Sequence, residues 1–519
     1  MAEHRSPLPD VALRSISITE RLFEGLDLAA HRVVLTDGPT GTNFTGAALA
    51  DRIGRLAGGL QAEGVGPGTV IALMAPNMPD YAVVFHAAAL AGATVTTLNP
   101  TYTATEAAHQ LKDSGATLAV TIPAFLPVVT AAATGSAVRE IITLGPVDGH
   151  RQIEDLMGSP LSAQVPVDIE THVLALPYSS GTTGLPKGVM LSHRNMVVNV
   201  DQALPLLEVR PGETTVAFLP FFHIYGMNVL MNTFLAGGAG LVTMPRFDLE
   251  AMLGHIQQHR VEKLYIAPPV AIALAKHPLV DQFDLSSLKV IMSAAAPLGA
   301  EVANAVRDRL GGCAVIQGYG MTELSPLTHV TPHRAPKPGA VGVSAPNTVT
   351  RIVNPETLQD CAPGEEGEVW VQGPQVMLGY LNRPEATAAM IRDGWLRTGD
   401  LGVVDDEGYL TIRDRLKELI KVKGFQVAPA EVEAELLSLP GVADCAVIGM
   451  PDDEAGERPL AFVVRQPGSA LTADDVVAAL KPRLASYKLP HRVDFIDAIP
   501  KSASGKILRR VLRDRLAES

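Results

Sequence analysis

Cysteine is scarce in this 519-residue chain: Cys313, Cys361 and Cys445 stand far apart, and no CxxC spacing occurs. That excludes a disulfide framework and a cysteine zinc site, and it suits a reduced compartment. Positive charge is also short, since 42 Lys and Arg against 55 Asp and Glu leave −13 with histidines neutral, which argues against a nucleic-acid partner. Long apolar runs are missing too. Residues 81–105 and 114–138 carry no Asp, Glu, Lys or Arg. The first, however, contains His86 and Asn99 and changes from helix-like to strand-like texture, and the second is broken by Pro123 and Pro127. A spanning helix needs ~20 continuous apolar residues, so buried helix and strand are expected and no membrane span. The opening MAEHRSPLPD lacks a secretory apolar stretch and the closing RLAES is not a peroxisomal tripeptide, making a cytoplasmic protein the expectation, with monomer or homodimer both left open.

What is present is a globular composition, 47% hydrophobic and 19% charged. The length implies several domains, or one large domain with an appendage. From about residue 30 to 330, short apolar runs such as TVIALMA, ATVTTL, LAVTI, KLYIAP and LKVIMSA alternate with helical patterns. That order predicts parallel sheets covered on both faces. One helix, over residues 103–114, opens with a capping box, Thr103 and Glu106 three apart. After about residue 335 the segments TVTRIVNP, EGEVWVQG and DEGYLTIRD are short and punctuated by Gly, Pro and Asp, which predicts hairpins or a small β-barrel. Beyond residue 417 comes a mixed α+β unit of about a hundred residues, enough for its own core. The boundary is placed at 416/417, giving domains 1–416 and 417–519.

The strongest local signal is YSSGTTGLPKGV, residues 178–189, after the apolar run VLAL. Its glycines, hydroxyls and lysine are the equipment for wrapping polyphosphate oxygens, although a Ser/Thr/Gly-rich surface turn has the same composition. It is not a Walker A loop, and no GxGxxG follows a strand elsewhere.

Five further segments accompany this loop in order: PFFHIYGMN (220–228), IQGYGMTEL (316–324), GWLRTGD (394–400), RDRLKELIKVKGFQVAPAE (413–431) and PKSASGKILRR (500–510). Together they resemble the adenylate-forming superfamily of acyl- and aryl-CoA ligases, luciferases and carrier-loading adenylation domains over essentially the whole chain. The wording is most similar to 4-coumarate-CoA ligases and their bacterial relatives. The resemblance implies a large N-terminal domain of α/β subdomains plus a barrel, a mobile C-terminal α+β lid, and ATP, Mg2+ and coenzyme A as cofactors. It also implies two half-reactions: a carboxylate attacks the α-phosphate of ATP, then a thiol attacks the acyl-adenylate.

Residue by residue, the resemblance implies that Ser179, Ser180, Gly181, Thr182, Thr183 and Lys187 cradle the β- and γ-phosphates. Thr322 and Glu323 would meet the α-phosphate and Mg2+, Gln317 and Gly318 the nucleotide, and Asp400 and Arg415 the ribose. Lys506, on the small loop SASGK, would be the adenylation lysine and Lys417 the hinge. Lys421 and Gln426 would be brought to the adenylate, with Lys423, Gly424 and Arg246 facing CoA. The acid pocket would be Tyr225, Ala295, Gly318, Tyr319, Gly320, Pro326, Leu327 and Val330, with His223 near the carboxylate and thiol entrance. Taken alone, each of these has a plainer reading: a helix cap for Thr322–Glu323, a turn for Asp400, a solvated lysine in a basic tail for Lys506.

FFHIYG has no aspartate for a substrate ammonium, which disfavours α-amino acids. Ala294 adds a methyl and Val229 lacks a hydroxyl relative to plant ligases. These changes leave cinnamates, benzoates and medium-chain fatty acids in contention beside 4-coumarate, and a carrier-loading enzyme or a luciferase-like monooxygenase as alternatives. Residues 413–423 carry five cations against two anions and residues 501–515 six against one. The expectation is a lid that brings positive charge to the phosphates.

Overall fold

The computed structural model describes residues 3–179, 186–423, 425–452, 454–503 and 505–517. The apolar runs of the first 330 residues form parallel strands. In the largest sheet Val173–Ala175, Thr94–Thr97, Val70–Met74, Leu118–Thr121 and Glu140–Thr143 lie side by side in that order, all parallel. Lys187–Ser192 adds antiparallel to Val173–Ala175, and Gly379–Tyr380 adds antiparallel to that. In a second sheet Lys263–Ile266, Val290–Ser293 and Ala314–Gly320 are parallel and continue antiparallel into Leu327–Val330. In a third, Thr214–Ala217, Gly240–Thr243 and Val33–Asp37 are parallel.

Helix Pro79–Leu90 is buried on every side except at Asp80. Its lack of charge therefore marks a core helix, and no helix among the described residues is long and apolar enough to cross a membrane. The capping box forms as expected: the Thr103 N–H donates to Glu106 at 2.8 Å, and the Glu106 N–H to the Thr103 hydroxyl at 3.4 Å.

The barrel expected after residue 335 does not close. Its strands form an open antiparallel sheet in the order His4–Arg5, Val349–Val353, Gly367–Gln372, Trp395–Val404, Ile391–Arg392, with Leu410–Arg415 branching from Trp395–Val404. One edge is His4–Arg5, two residues long, and the other is shared by Ile391–Arg392 and Leu410–Arg415. Among the described residues no ladder joins the two edges.

The C-terminal unit packs its own two cores. Alternation along Val442–Asp452 sends Cys445 and Val447 to one face and Ala446 and Ile448 to the other. A sheet apolar on both faces needs two covers. Helices Pro429–Ser438 and Ala473–Leu480 supply one through Val432, Leu436, Val476 and Leu480, and Arg509–Ala517 supplies the other through Leu512.

Candidate active site

The site lies beyond the carboxyl ends of the parallel strands Val290–Ser293 and Ala314–Gly320, where open α/β sheets place ligands. After Gly320 the chain makes a short 3-10 turn, Thr322–Leu324, with Thr322 and Glu323 buried. Glu323 Oε1 accepts from the Ser179 hydroxyl at 2.9 Å and the Tyr380 phenol at 2.7 Å. The Lys187 ammonium sits 4.8 Å from the centroid of the same Tyr380 ring. The two flanks of the candidate phosphate loop are paired, Ser179 opposite Lys187 and Tyr178 opposite Gly188, and the Tyr178 phenol donates to Asp113 at 2.8 Å. Ser180, Gly181, Thr182 and Thr183 lie outside the described residues.

Asp400 stands on Trp395–Val404, whose alternating burial turns it inward. Tyr319 donates its phenol to Asp400 at 2.6 Å, and Arg415, its cross-strand partner, approaches at 3.4 Å. Burial raises the Asp400 carboxyl above its ordinary range, and Arg415 and the Tyr319 hydrogen bond oppose that shift. Directly after Arg415 comes a turn over residues 416–418, tied by the Leu416 N–H to Gly399 O at 2.9 Å and the Glu418 N–H to Arg415 O at 2.9 Å, with Lys417 exposed on it.

The lid brings Lys506 to this cluster on a tight hairpin. Lys501 bridges to Ile507, the Ser502 N–H donates to Lys506 O at 2.8 Å, and the Lys506 N–H donates to the Ser502 hydroxyl at 3.1 Å. Gly505 is left-handed at φ +83°, and a Cβ there would lie 3.1 Å from Ala267 Cβ, so the turn requires glycine twice over. Burial and the Arg415 charge pull the Lys506 ammonium down to about 8, against the opposing pull of Glu323 and Asp400. Burial, reinforced by Lys506, holds His223 at about 3. His223 Nδ1 accepts the Tyr225 N–H at 3.3 Å, so the neutral ring carries its proton on Nε2.

The residues expected to line an acid pocket also converge. Tyr225 opens a π-helix, Tyr225–Asn232, and turns its phenol toward Met292 O at 3.4 Å. Met292 in turn covers Gly318, with Leu327 adjacent, and at Gly320 a Cβ would fall 1.9 Å from Pro326 O. Pro326, Leu327 and Val330 are buried. Ala295, at φ +75°, holds a conformation that costs a non-glycine residue of order 1 kcal/mol. The Gln317 side-chain oxygen accepts the Leu298 N–H at 2.8 Å and braces the loop that contains Ala295.

Other expected site residues lie elsewhere. Lys421 and Gln426 project from an exposed hairpin, Ile420–Val422 and Phe425–Val427, and Lys423 pairs with Glu454 at 2.6 Å. Among the described residues no hydrogen bond or ion pair joins these side chains to the Glu323 cluster. The hairpin forms the edge of the C-terminal sheet. Gly424 lies outside the described residues. Arg246 is exposed on the loop after Gly240–Thr243, next to a Phe247 that packs on Phe218.

The picture of a broadly cationic lid is also corrected. Arg413 pairs with Glu366, Lys501 with Asp444, Arg509 with Glu433 and Arg513 with Glu418. These cations are engaged by carboxylates of their own surroundings, and among the described residues of 413–423 and 501–515, Arg415 and Lys506 are the cations that stand at the Glu323–Asp400 cluster. Nothing in the sequence signals Tyr380 or Asp113, because Tyr380 arrives by strand pairing with Val189 and Asp113 from helix Ala104–Ser114, contacts between distant segments that leave no local pattern.

Comparison with known proteins shows the family. A family model described as AMP-binding enzyme matches residues 26–381, and one described as AMP-binding enzyme C-terminal domain matches residues 431–506. The chain belongs to the AMP-binding enzyme family. It is 42% identical over 526 residues to 4-coumarate–CoA ligase 5 of Oryza sativa subsp. japonica, covering 99% of this chain and 97% of the relative. It is 40% identical to 4-coumarate–CoA ligase 1 of Petroselinum crispum, covering 99% and 96%. Among solved structures, ATP-bound MatB from Rhodopseudomonas palustris superposes with a TM-score of 0.89 at 31% identity, covering 97% of this chain and 99% of that one. The anthranilate CoA ligase AuaEII in complex with anthranoyl-AMP gives 0.90 at 26%, covering 98% and 99%.

Proposed function

We propose that the chain is an AMP-forming, ATP-dependent acid–CoA ligase that acts on aryl acids of the 4-coumarate and cinnamate type. The observation that carries this reading is the placement of Lys506, from the lid, in the field of Glu323, Asp400 and Arg415 of the large domain. The full-length likeness to 4-coumarate–CoA ligases supports the substrate class. In the first step a carboxylate oxygen attacks the α-phosphorus, the bond to the bridging oxygen breaks and pyrophosphate leaves. The Lys506 ammonium offsets the negative charge that gathers between the two reactants. Asp400 and Arg415 hold the ribose, and His223, neutral with its proton on Nε2, faces the acid. In the second step the CoA thiol, its proton lost to solvent, attacks the acyl carbon as thiolate and AMP departs with the electrons of the broken C–O bond, while rotation about residues 416–418 brings the hairpin of Lys421, Lys423 and Gln426 to the site.

Glu323 fits a magnesium ion that arrives with the nucleotide. Both hydrogen bonds fall on Oε1, and among the described residues none reaches Oε2. No group of three His, Cys, Asp or Glu there could hold a metal unaided, which suits a cation that takes most of its ligands from phosphates and water. Bound there, it would neutralise polyphosphate charge.

The test is pyrophosphate release with cinnamic, coumaric, benzoic and C6 to C12 acids, followed by mass spectrometry of the products with CoA. The expected result is an aryl-CoA thioester. An adenylate without thioester overturns the CoA assignment, light emission points to a luciferase-like enzyme, and preference for C6 to C12 acids replaces the aryl reading.

A further inference from the structure

Helix Pro268–Lys276 of the large domain touches the lid at both ends. At its start Ala267 Cβ and Pro269 Cδ lie 3.1 and 3.5 Å from where a Gly505 Cβ would be, beside the Lys506 hairpin. At its end the Lys276 ammonium donates to Leu437 O at 3.2 Å and Val442 O at 3.1 Å. With a rise of 1.5 Å per residue the two contacts are about 12 Å apart. A third contact lies at Gly299, where a Cβ would meet Ala434 Cβ at 3.5 Å.

Leu437 O is among the last four carbonyls of helix Pro429–Ser438, which no N–H of that helix can reach. That helix has no basic residue in its own last turn, and the nearby Arg483 is engaged with Ser438 Oγ and Glu435. The cation that complements the helix C-terminus thus comes from the other domain. Burial lowers the Lys276 ammonium, with Asp444 opposing.

We infer that Lys276 is a positioning residue for the first half-reaction: its bonds to Leu437 O and Val442 O hold the lid in the orientation that puts Lys506 at the site. The inference rests on the two-step reading above. When the lid turns about residues 416–418 to present the Lys421–Lys423 hairpin, both carbonyls must leave Lys276. A contact made in only one of two orientations shifts their ratio by its own strength. Lys276 touches neither Glu323 nor Asp400, so its effect is exerted through lid orientation alone.

Lys276→Met keeps the apolar stem and removes the donors, while Lys276→Arg restores donors. Two readouts are measured in the full-length chain. The first is the rate of each half-reaction, pyrophosphate release from ATP and acid, and thioester formation from purified acyl-adenylate and CoA. The second is the rate of trypsin cleavage at Lys417, an exposed lysine on a turn tied by the Leu416 N–H to Gly399 O and the Glu418 N–H to Arg415 O, so that faster cleavage reports release of that turn as the lid undocks, whatever the substrate. Lys276→Met is expected to slow adenylation by about three- to tenfold, as for loss of charged hydrogen bonds at a solvent-edge site. The thioester step should be unchanged or faster, cleavage at Lys417 should accelerate, and Lys276→Arg should recover both. Equal loss in both half-reactions, or no change in rates and cleavage, overturns the inference. If cleavage responds but no acid yields a thioester, the ligase reading falls and the positioning role stands.

Discussion

The two halves of the site are built by opposite means. The large domain's half is locked: Glu323 and Asp400 are buried, each takes a tyrosine phenol at 2.7 and 2.6 Å, and both sit on or beside paired strands. The lid's half is delivered, with Lys506 on a small-residue hairpin and Lys421 and Lys423 on an exposed edge. Groups that must hold one geometry through both half-reactions belong on rigid elements, and groups needed in only one half-reaction belong on a body that can turn. The difference is therefore expected to separate two classes of variant.

The largest effect is expected at Lys506. Lys506→Ala should lower adenylation by about 10²–10³, the scale of losing one preorganised charge partner, yet leave thioester formation from preformed adenylate nearly intact. Pyrophosphate release and CoA transfer, measured separately, check this, and unimpaired adenylation would remove Lys506 from its assigned role.

The same group sets a pH limb. Because its ammonium is lowered to about 8 in the free enzyme, the charged form is lost as pH rises through that value. kcat/KM for adenylation should then fall by up to about tenfold per pH unit above it. A limb of equal size in the thioester half-reaction would contradict the assignment.

On the locked side, Tyr380→Phe keeps the ring beneath Lys187 and removes one donor to Glu323. A rise of about tenfold in the Mg2+ concentration needed for half-maximal pyrophosphate release is expected, with circular dichroism and melting temperature near wild type. Smallest is Lys423→Ala, whose partner Glu454 is also exposed. It should raise KM for CoA by a few-fold, without change in adenylation, in keeping with the modest strength of exposed charges.

Several features are legible in the amino-acid sequence because they are local. The alternation of apolar runs and helical patterns gave the parallel sheets, and Thr103 with Glu106 gave a helix start that forms with both reciprocal hydrogen bonds. The ordered segments carried the family likeness, and with it the residues the fold brings together at Glu323, Asp400, Arg415 and Lys506. Antiparallel pairing after residue 335 was readable too, but whether those strands close into a barrel was not. Strand texture is the same in a sheet and a barrel, and closure depends on whether the two edge strands pair with each other, which among the described residues they do not.

What the amino-acid order determined by itself was the inventory: a phosphate-loop composition, a carboxylate after a tight turn, a lysine among small residues, and a charge balance unsuited to nucleic acid. Tertiary structure decided which members of that inventory meet. Tyr380 reaches Glu323 because Gly379–Tyr380 pairs with Lys187–Ser192, nearly two hundred positions away in sequence. Most lid cations are held by carboxylates such as Glu433, Asp444 and Glu418, and Lys506 instead lies among Glu323, Asp400 and Arg415. Pairing energies between distant strands and the docking of one domain on another depend on distances that residue order does not contain, which is why the sequence could name the lysine but not what holds it in place.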